Sequence, residues 1–440
     1  MVFESHKLTS LYWRYAFPTV MAMLVSGLYQ IVDGIFIGRF VGAQGLAAIN
    51  MAWPWVGLLA GVGLMIGVGA GTHCSIAQGA GDLPRARQFL VHGVSSLVLM
   101  GAVVGFLIIV GREGLMALQG ANEEVQQQGS EYLAVIGWFS PLVLASIAMP
   151  ILVRNLGAPV LATVMVLVGA VTNILLDYVF IVELGWGLQG AAIATVIGES
   201  ISAVIGLVFL WTNHSALPLN RFDTWARPRA LVFRSIMTNG FSSLLMYLYS
   251  SIAVVLHNTA LMHYGSTLDV AAYAIAGYLM MVYYLLAEGL ASGMQPIISY
   301  FHGVGQREPI KKVFGLAMKS VVGTGIVFVI VVIGFPALGA WFFISDEDSA
   351  LELVAVATVR LHLFALFLEG FLLLAAVYFQ AIGKGKAATL ITLANICIQL
   401  PFLFVLAPLM GVTGVLLALP LSTIVLALLV AVVLRRQFYY

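Results

Sequence analysis

The chain is predicted to fold as an all-α integral membrane bundle of twelve transmembrane helices in two pseudo-symmetric six-helix lobes. Three observations carry this prediction. Of its 440 residues 61% are hydrophobic and only 9% charged, with mean hydropathy +1.04, whereas soluble domains carry roughly 25% charged residues. Apolar runs of about 20 residues recur from Tyr15 to Arg435, long enough to cross a ~30 Å hydrocarbon layer as helices and without the alternation of an outer-membrane barrel. The third is the distribution of basic residues, which makes sense only for an even number of crossings.

The spans centre near residues 26, 58, 100, 142, 171, 200, 245, 282, 328, 369, 398 and 423. With both termini and the even-numbered loops in the cytoplasm, that side holds 17 of the 20 Lys and Arg residues, among them Lys7, Arg14, Arg85, Arg87, Arg154, Arg221, Arg227, Arg307, Lys311, Lys384 and Arg436. Only Arg39 and Arg112 fall in odd loops and Arg360 at the edge of the tenth span, while Glu123, Glu124, Asp346, Glu347 and Asp348 crowd the odd side. This is the positive-inside pattern, and it puts both termini on the cytoplasmic face of a cytoplasmic (inner) membrane. The first apolar run contains Asp33 and reads as a retained span, not a signal peptide.

A net charge of +1 gives no electrostatic reason for a nucleic-acid partner. Cys74 and Cys397 lie in or beside apolar spans and suggest no disulfide framework. Neither a nucleophile elbow nor a Walker sequence occurs, which argues against hydrolase chemistry and ATP-driven pumping. The glycine-rich stretch 61 to 71 lies within an apolar span and suits close helix packing. His73, His257 and His362 lack metal-ligand spacing and are expected to be structural or cavity-lining. No cofactor is expected.

The two halves resemble each other. "GAG" at 79 to 81 aligns with "GVG" at 303 to 305, an offset of 224, and "NLGAPVLAT" (155 to 163) and "GLQGAA" (187 to 192) find partners at 381 to 389 and 411 to 416. Six spans separate each pair, so the repeats are parallel, an arrangement common in transporters with the substrate path between the halves. The predicted domains are 1–212, a polar connecting loop 213–230, and 231–440.

Five acids lie within spans: Asp33, Asp177, Glu199, Glu288 and Glu369. An ionised carboxylate in hydrocarbon is costly and marks functional sites by default. Asp33, Asp177 and Glu199 each have a polar residue four positions earlier, Tyr29, Asn173 and Thr195, and so on the same helical face. Such clusters can take up and release protons near neutral pH, and the oxygens of Asp33, Asp177, Asn173 and Thr195 would equally suit Na⁺. The second half offers no acid opposite Asn173 and Asp177, so the coupling site is expected in the first half, with Glu199, Glu288 and Glu369 as secondary candidates. Pro18 removes a backbone hydrogen bond from the helix carrying Asp33 and permits a bend there. Arg39, about 9 Å further along the axis and on another face, is expected to snorkel. Met and aromatic clusters such as "YLMMVYYLL" (278 to 286) could meet flat or cationic compounds if they line the cleft.

Taken together, "YQIVDGIFIGRFVGAQGLAA" from span 1, "GAGTHCSIAQGAGDLPRAR" after span 2, "NILLDYVFI" in span 5 and "GLASGMQPIISYFHGVGQREPIKK" after span 8 resemble the multidrug and toxic compound extrusion family, in particular its branch typified by the DNA-damage-inducible protein F. The resemblance runs nearly full length. It implies a V-shaped monomeric antiporter, not an enzyme, that expels organic, often cationic, drugs in exchange for H⁺ or Na⁺. It also implies that Asp33 and Asp177 are the coupling acids, with Tyr29, Tyr132, Asn173 and Thr195 around them and Pro18 as the bend point. The rival within the same superfamily is a lipid-linked-precursor flippase, which would need a cationic cavity where this chain has acids. Outside transport, the rival is a membrane-embedded enzyme or scaffold.

Overall fold

The structure is a computed structural model and describes residues 7–212, 229–335 and 349–439. Most of the connecting loop 213–230, with Arg221 and Arg227, and the acids Asp346, Glu347 and Asp348 lie outside the described residues. The first half runs α1 (Leu8–Phe36), α2 (Ala43–Gly79), α3 (Leu83–Leu118), α4 (Glu123–Trp138), α5 (Ser140–Asn155), α6 (Pro159–Asp177) and α7 (Gly187–Thr212). The second runs α8 (Ala230–Tyr264), α9 (Thr267–Val304), α10 (Arg307–Gly334), α11 (Ser349–Leu363), α12 (Leu366–Ala381), α13 (Gly385–Met410) and α14 (Val412–Tyr439). Helix α1 continues into a π-helical stretch, Ile37–Val41, and α6 into another, Tyr178–Glu183.

Among the described residues ten helices are long and apolar enough to cross a membrane, and the pairs α4–α5 and α11–α12, bent by 64° and 43°, bring the count to twelve. The spans expected near residues 142 and 369 are therefore broken helices. The first break has a local cause: Pro141 in the first turn of α5 lacks the N–H that would continue α4. The second break has neither proline nor glycine; it lies between the buried polar residues His362 and Glu369.

The repeat is visible in the backbone. Gly81 and Gly305, 224 positions apart, both adopt the left-handed conformation, with φ of 77° and 80°; each ends a long helix where a side chain would be strained. The preceding glycines meet across the bundle. Gly79 on α2 lies directly against the carbonyl of Tyr300 on α9, and Gly303 on α9 against the carbonyl of Ile76 on α2. Tyr300 and Ile76 are also 224 positions apart, so the two contacts are mirror copies of one. Small residues allow this backbone-to-backbone approach.

A buried polar network seals the same end. Gln295 on α9 hydrogen-bonds Thr72 on α2 (3.0 Å) and Asn155 at the end of α5 (3.1 Å), and Asn155 Nδ2 donates to Gln295 Oε1 (3.0 Å). Ser75 Oγ donates to Asn155 Oδ1 (2.8 Å), and Ser299 Oγ to the carbonyl of Ala381 (2.8 Å). Helices of both halves are thus tied where apolar packing alone would let them slide. Gln295→Leu strands Thr72 and takes two hydrogen bonds from Asn155 in the interior, and it is expected to lower the thermal midpoint of the detergent-solubilised protein by the equivalent of about 1–3 kcal/mol. An unchanged midpoint would show that the network adds nothing to stability.

Candidate cation-coupling site

Two acids face each other in the first half. Asp33 stands on α1 one turn before the π-helical stretch, and Asp177 is the last residue of α6, immediately before the other one. Single-turn widenings of this kind recur at functional sites, where they re-aim side chains. The carboxyl groups of Asp33 and Asp177 lie within hydrogen-bonding reach of each other. Asp177 is fully buried. Both of its oxygens and Oδ1 of Asp33 have no hydrogen-bond partner in the protein. Two ionised carboxylates in this position repel and leave their lone pairs unsatisfied. A single shared proton, or one small cation, relieves both defects.

The surrounding groups come from the same two helices and from two further ones, α4 and α7. Asn173, one turn before Asp177, donates from Nδ2 to Thr195 Oγ1 on α7 at 3.3 Å and leaves its own Oδ1 free. Tyr132 on α4 is buried and interacts electrostatically with Asp33, Asp177, Glu199 and Tyr29, and Tyr29 with Asp33 and Glu199. Oε2 of Glu199 is also buried without a partner. The helices can come this close because Gly169 on α6 faces Gly198 on α7; a Cβ on Gly198 would stand 2.6 Å from the carbonyl oxygen of Gly169.

Asp33, Asp177, Asn173, Thr195, Tyr29, Tyr132 and Glu199 thus form one cluster. Thr195 stands one turn before Glu199, and its hydroxyl is held by Asn173 across the helix pair. Four-residue spacing puts two side chains on one face without aiming one at the other. Pro18 lies within α1, and its carbonyl accepts a hydrogen bond from Thr163 Oγ1 of α6 at 2.6 Å. The next residue, Thr19, donates from Oγ1 to the carbonyl of Tyr15, one turn back, at 2.7 Å.

The other two acids are elsewhere. Glu288 on α9 interacts electrostatically with Arg154 at the end of α5 and with Tyr247. Arg154 was tallied as a loop cation, yet it is buried. Glu369 on α12 is buried in the second half, where Thr423 Oγ1, Tyr284 Oη at 3.0 Å and Asn395 Nδ2 at 3.4 Å all donate to it. Its partners come from α9, α13 and α14, so the second half holds a buried acid after all, not in register with Asp177 but fully hydrogen-bonded. Sequence reading missed the Arg154–Glu288 attraction because the two residues are 134 positions apart, on different halves. Arg39 is exposed, as snorkelling requires. Both cysteines are free thiols. Among the described residues no three His, Cys, Asp or Glu side chains gather as a metal site.

The MatE family model matches the chain twice, at residues 18–179 and 240–405, once in each half. The multidrug export protein MepA of Staphylococcus aureus strain MSSA476 is 27% identical over 431 residues, covering 97% of this chain and 93% of the relative. A crystal structure of MATE in complex with MaL6 superposes with a TM-score of 0.92 at 21% identity over 99% of both chains. A second, the outward-facing conformation of a multidrug resistance MATE family transporter of the MOP superfamily, gives 0.91 at 22% identity, covering 97% of this chain and 95% of the other. A duplicated helical bundle whose halves meet on repeat-related glycines, matched by one family model in each half, is a multi-pass membrane protein that belongs to the MatE family of transporters.

Proposed function

We propose that this transporter is a secondary-active multidrug exporter, in which organic, often cationic, compounds leave in exchange for H⁺ or Na⁺ entering through the Asp33 and Asp177 pair. One observation carries the reading: two carboxyl groups within hydrogen-bonding reach, Asp177 fully buried and Asp33 half-buried, with three oxygens that no protein donor serves. Such a pair is complete only with a bound cation, and a site that must gain and lose a charge is what couples an ion gradient to a conformational change. The export of drugs is supported by the MepA relatives, which are multidrug export proteins.

In this mechanism the pair takes up its cation while the cleft faces outward, α1 rearranges about Pro18, and the bound compound is displaced. Release of the cation to the cytoplasm resets the site. Asn173 and Thr195 orient oxygens toward the pair, and Tyr29 and Tyr132 wall it from lipid. The lobes are 1–212 and 231–440, joined by 213–230, working as a monomer with both termini cytoplasmic.

Reconstitution into liposomes with ethidium as the probe tests this. An inward-directed proton gradient or an inward-directed Na⁺ gradient, imposed separately, is expected to drive ethidium against its own gradient, and whichever succeeds names the ion. If neither gradient drives it, coupled antiport is wrong for this protein.

A further inference from the structure

Helix α1 is attached to both halves. Its first turns are packed into the second half, where Leu8, Tyr12, Tyr15 and Ala16 are buried in the same apolar core as Tyr283 and Ile297 of α9. Tyr12 Oη donates to the carbonyl of Leu290 on α9 at 3.4 Å, and the backbone at Ala16 and Val20 lies directly against Gly293 and Gly289 of α9. The far end of α1 brings Asp33 to Asp177 in the first half. Pro18 stands among the α9 attachments, 15 positions before Asp33. It has no N–H, so the carbonyl of Arg14 one turn back loses its helical partner and a bend there costs less. A bend that is only permitted has no fixed place or direction.

Thr163 on α6 supplies both. Its Oγ1 lies 2.6 Å from the carbonyl oxygen of Pro18 and 3.3 Å from that of Pro159 in its own helix. A threonine hydroxyl within a helix ordinarily serves the carbonyl one turn back, and it has one hydrogen to give. Here the short bond is the one that crosses to α1. The spacing shows what this bond does. Thr163 precedes Asp177 by 14 positions and Pro18 precedes Asp33 by 15, about 21 and 22 Å of helix. The two helices therefore run parallel and meet twice, at the base through a neutral hydrogen bond and at the top through carboxyl groups whose approach depends on a bound cation. The second half has no copy of this arrangement: at an offset of 224 Pro18 faces Ser242, whose hydroxyl accepts from Gln380 Nε2 at 2.6 Å, and α8 contains no proline.

We infer that Thr163 is a positioning residue for transport: its hydroxyl pins α1 at Pro18 to α6, and this pin is the pivot through which a change at Asp33 and Asp177 is passed along α1 to α9 and the second half. The inference rests on the proposed coupling at that acid pair and adds the group that sets where α1 turns. Thr163 lies four turns of α6 away from Asp177 and acts through α1 alone. With the base held, loss of attraction between the acids swings the upper part of α1 about Pro18. With the base free, α1 slides along α6 and the movement dies out before it reaches α9. The hydroxyl is worth no more than one net hydrogen bond, which corresponds to roughly two- to tenfold in an equilibrium between two states.

The test compares Thr163→Val, which keeps the shape and loses the hydroxyl, with Thr163→Ser, which keeps the hydroxyl. The full chain is held in lipid nanodiscs with Cys397→Ser, the other thiol, Cys74, being buried. Spin labels are placed on exposed positions of α1 and α6, at Phe17→Cys with Val160→Cys for the base and at Ile31→Cys with Leu175→Cys near the acids. Distances are read from about pH 8 to about pH 5, with and without Na⁺. The base pair is expected to be narrow and unresponsive in the parent and in Thr163→Ser, and broad and cation-dependent in Thr163→Val. In liposomes Thr163→Val should lower gradient-driven ethidium efflux roughly two- to tenfold, with the serine variant at the parent rate and thermal midpoints unchanged. A base pair as narrow in Thr163→Val as in the parent overturns the proposal, and so does efflux lost equally in both variants. If the valine chain fails to fold, Thr163→Ala makes the same comparison. An upper pair that responds to neither ion counts instead against coupling at Asp33 and Asp177, and the base pair still decides whether Thr163 is the pin.

Discussion

Asp177→Asn is expected to reduce gradient-driven ethidium efflux to the leak of empty liposomes, and Asp33→Asn to do the same, while both proteins remain folded. Each substitution keeps the size and polarity of the side chain and removes the one property the coupling needs, a charge that comes and goes. The carboxyl groups are within hydrogen-bonding reach, and three of their oxygens lack donors. An asparagine at 177 can donate from Nδ2 to Asp33, so the fold should lose less than about 1 kcal/mol and could gain, as when a buried charge is replaced by a well-paired neutral group. Thermal midpoints in detergent separate the two effects. Wild-type efflux by either single variant would remove that residue from the coupling machinery. Wild-type efflux by both would sink the mechanism.

The second large effect is expected at the glycine crossing. In Gly79→Val and Gly303→Val the added Cβ meets a backbone carbonyl, of Tyr300 in the first case and of Ile76 in the second. A flexible side chain could move aside, but a carbonyl within a long helix cannot without moving the helix. Overpacking of this kind costs about 1–3 kcal/mol, enough to shift a two-state equilibrium by roughly tenfold to a hundredfold. The variants should therefore populate conformations in which the ends of α2 and α9 have parted. Spin labels at Arg85→Cys and Lys312→Cys, both exposed near the starts of the following helices, would report a longer distance distribution than in the parent, together with lost efflux. An unaltered distribution with full efflux would mean that this crossing does not hold the bundle shut. The polar ties among Thr72, Asn155 and Gln295 act at the same end, so Gln295→Leu and Gly79→Val should add less than independently.

The first half has unpaired carboxyl oxygens, while the second has a satisfied carboxylate, Glu369, and two unsatisfied imidazoles. A rigid-body exchange between two states needs only that the states differ in affinity for whatever binds.

The amino-acid sequence alone determined the class of fold, the number of crossings and the identity of the acids worth testing. Apolar run length and the distribution of Lys and Arg are one-dimensional properties, and the bilayer reads them directly. The offset of 224 was equally legible, because two copies of one pattern need no coordinates to be compared. What only the tertiary structure decided is which polar groups meet. Asn173 with Thr195, Arg154 with Glu288, Glu369 with Tyr284, Asn395 and Thr423, and His257 with His362 are all joined across helices. Periodicity gives the face a residue occupies but not the neighbour that face will find. That choice is made where glycines such as Gly79, Gly198 and Gly303 let two backbones touch, and it is the sum of all such contacts, not any local preference, that fixes one set of partners.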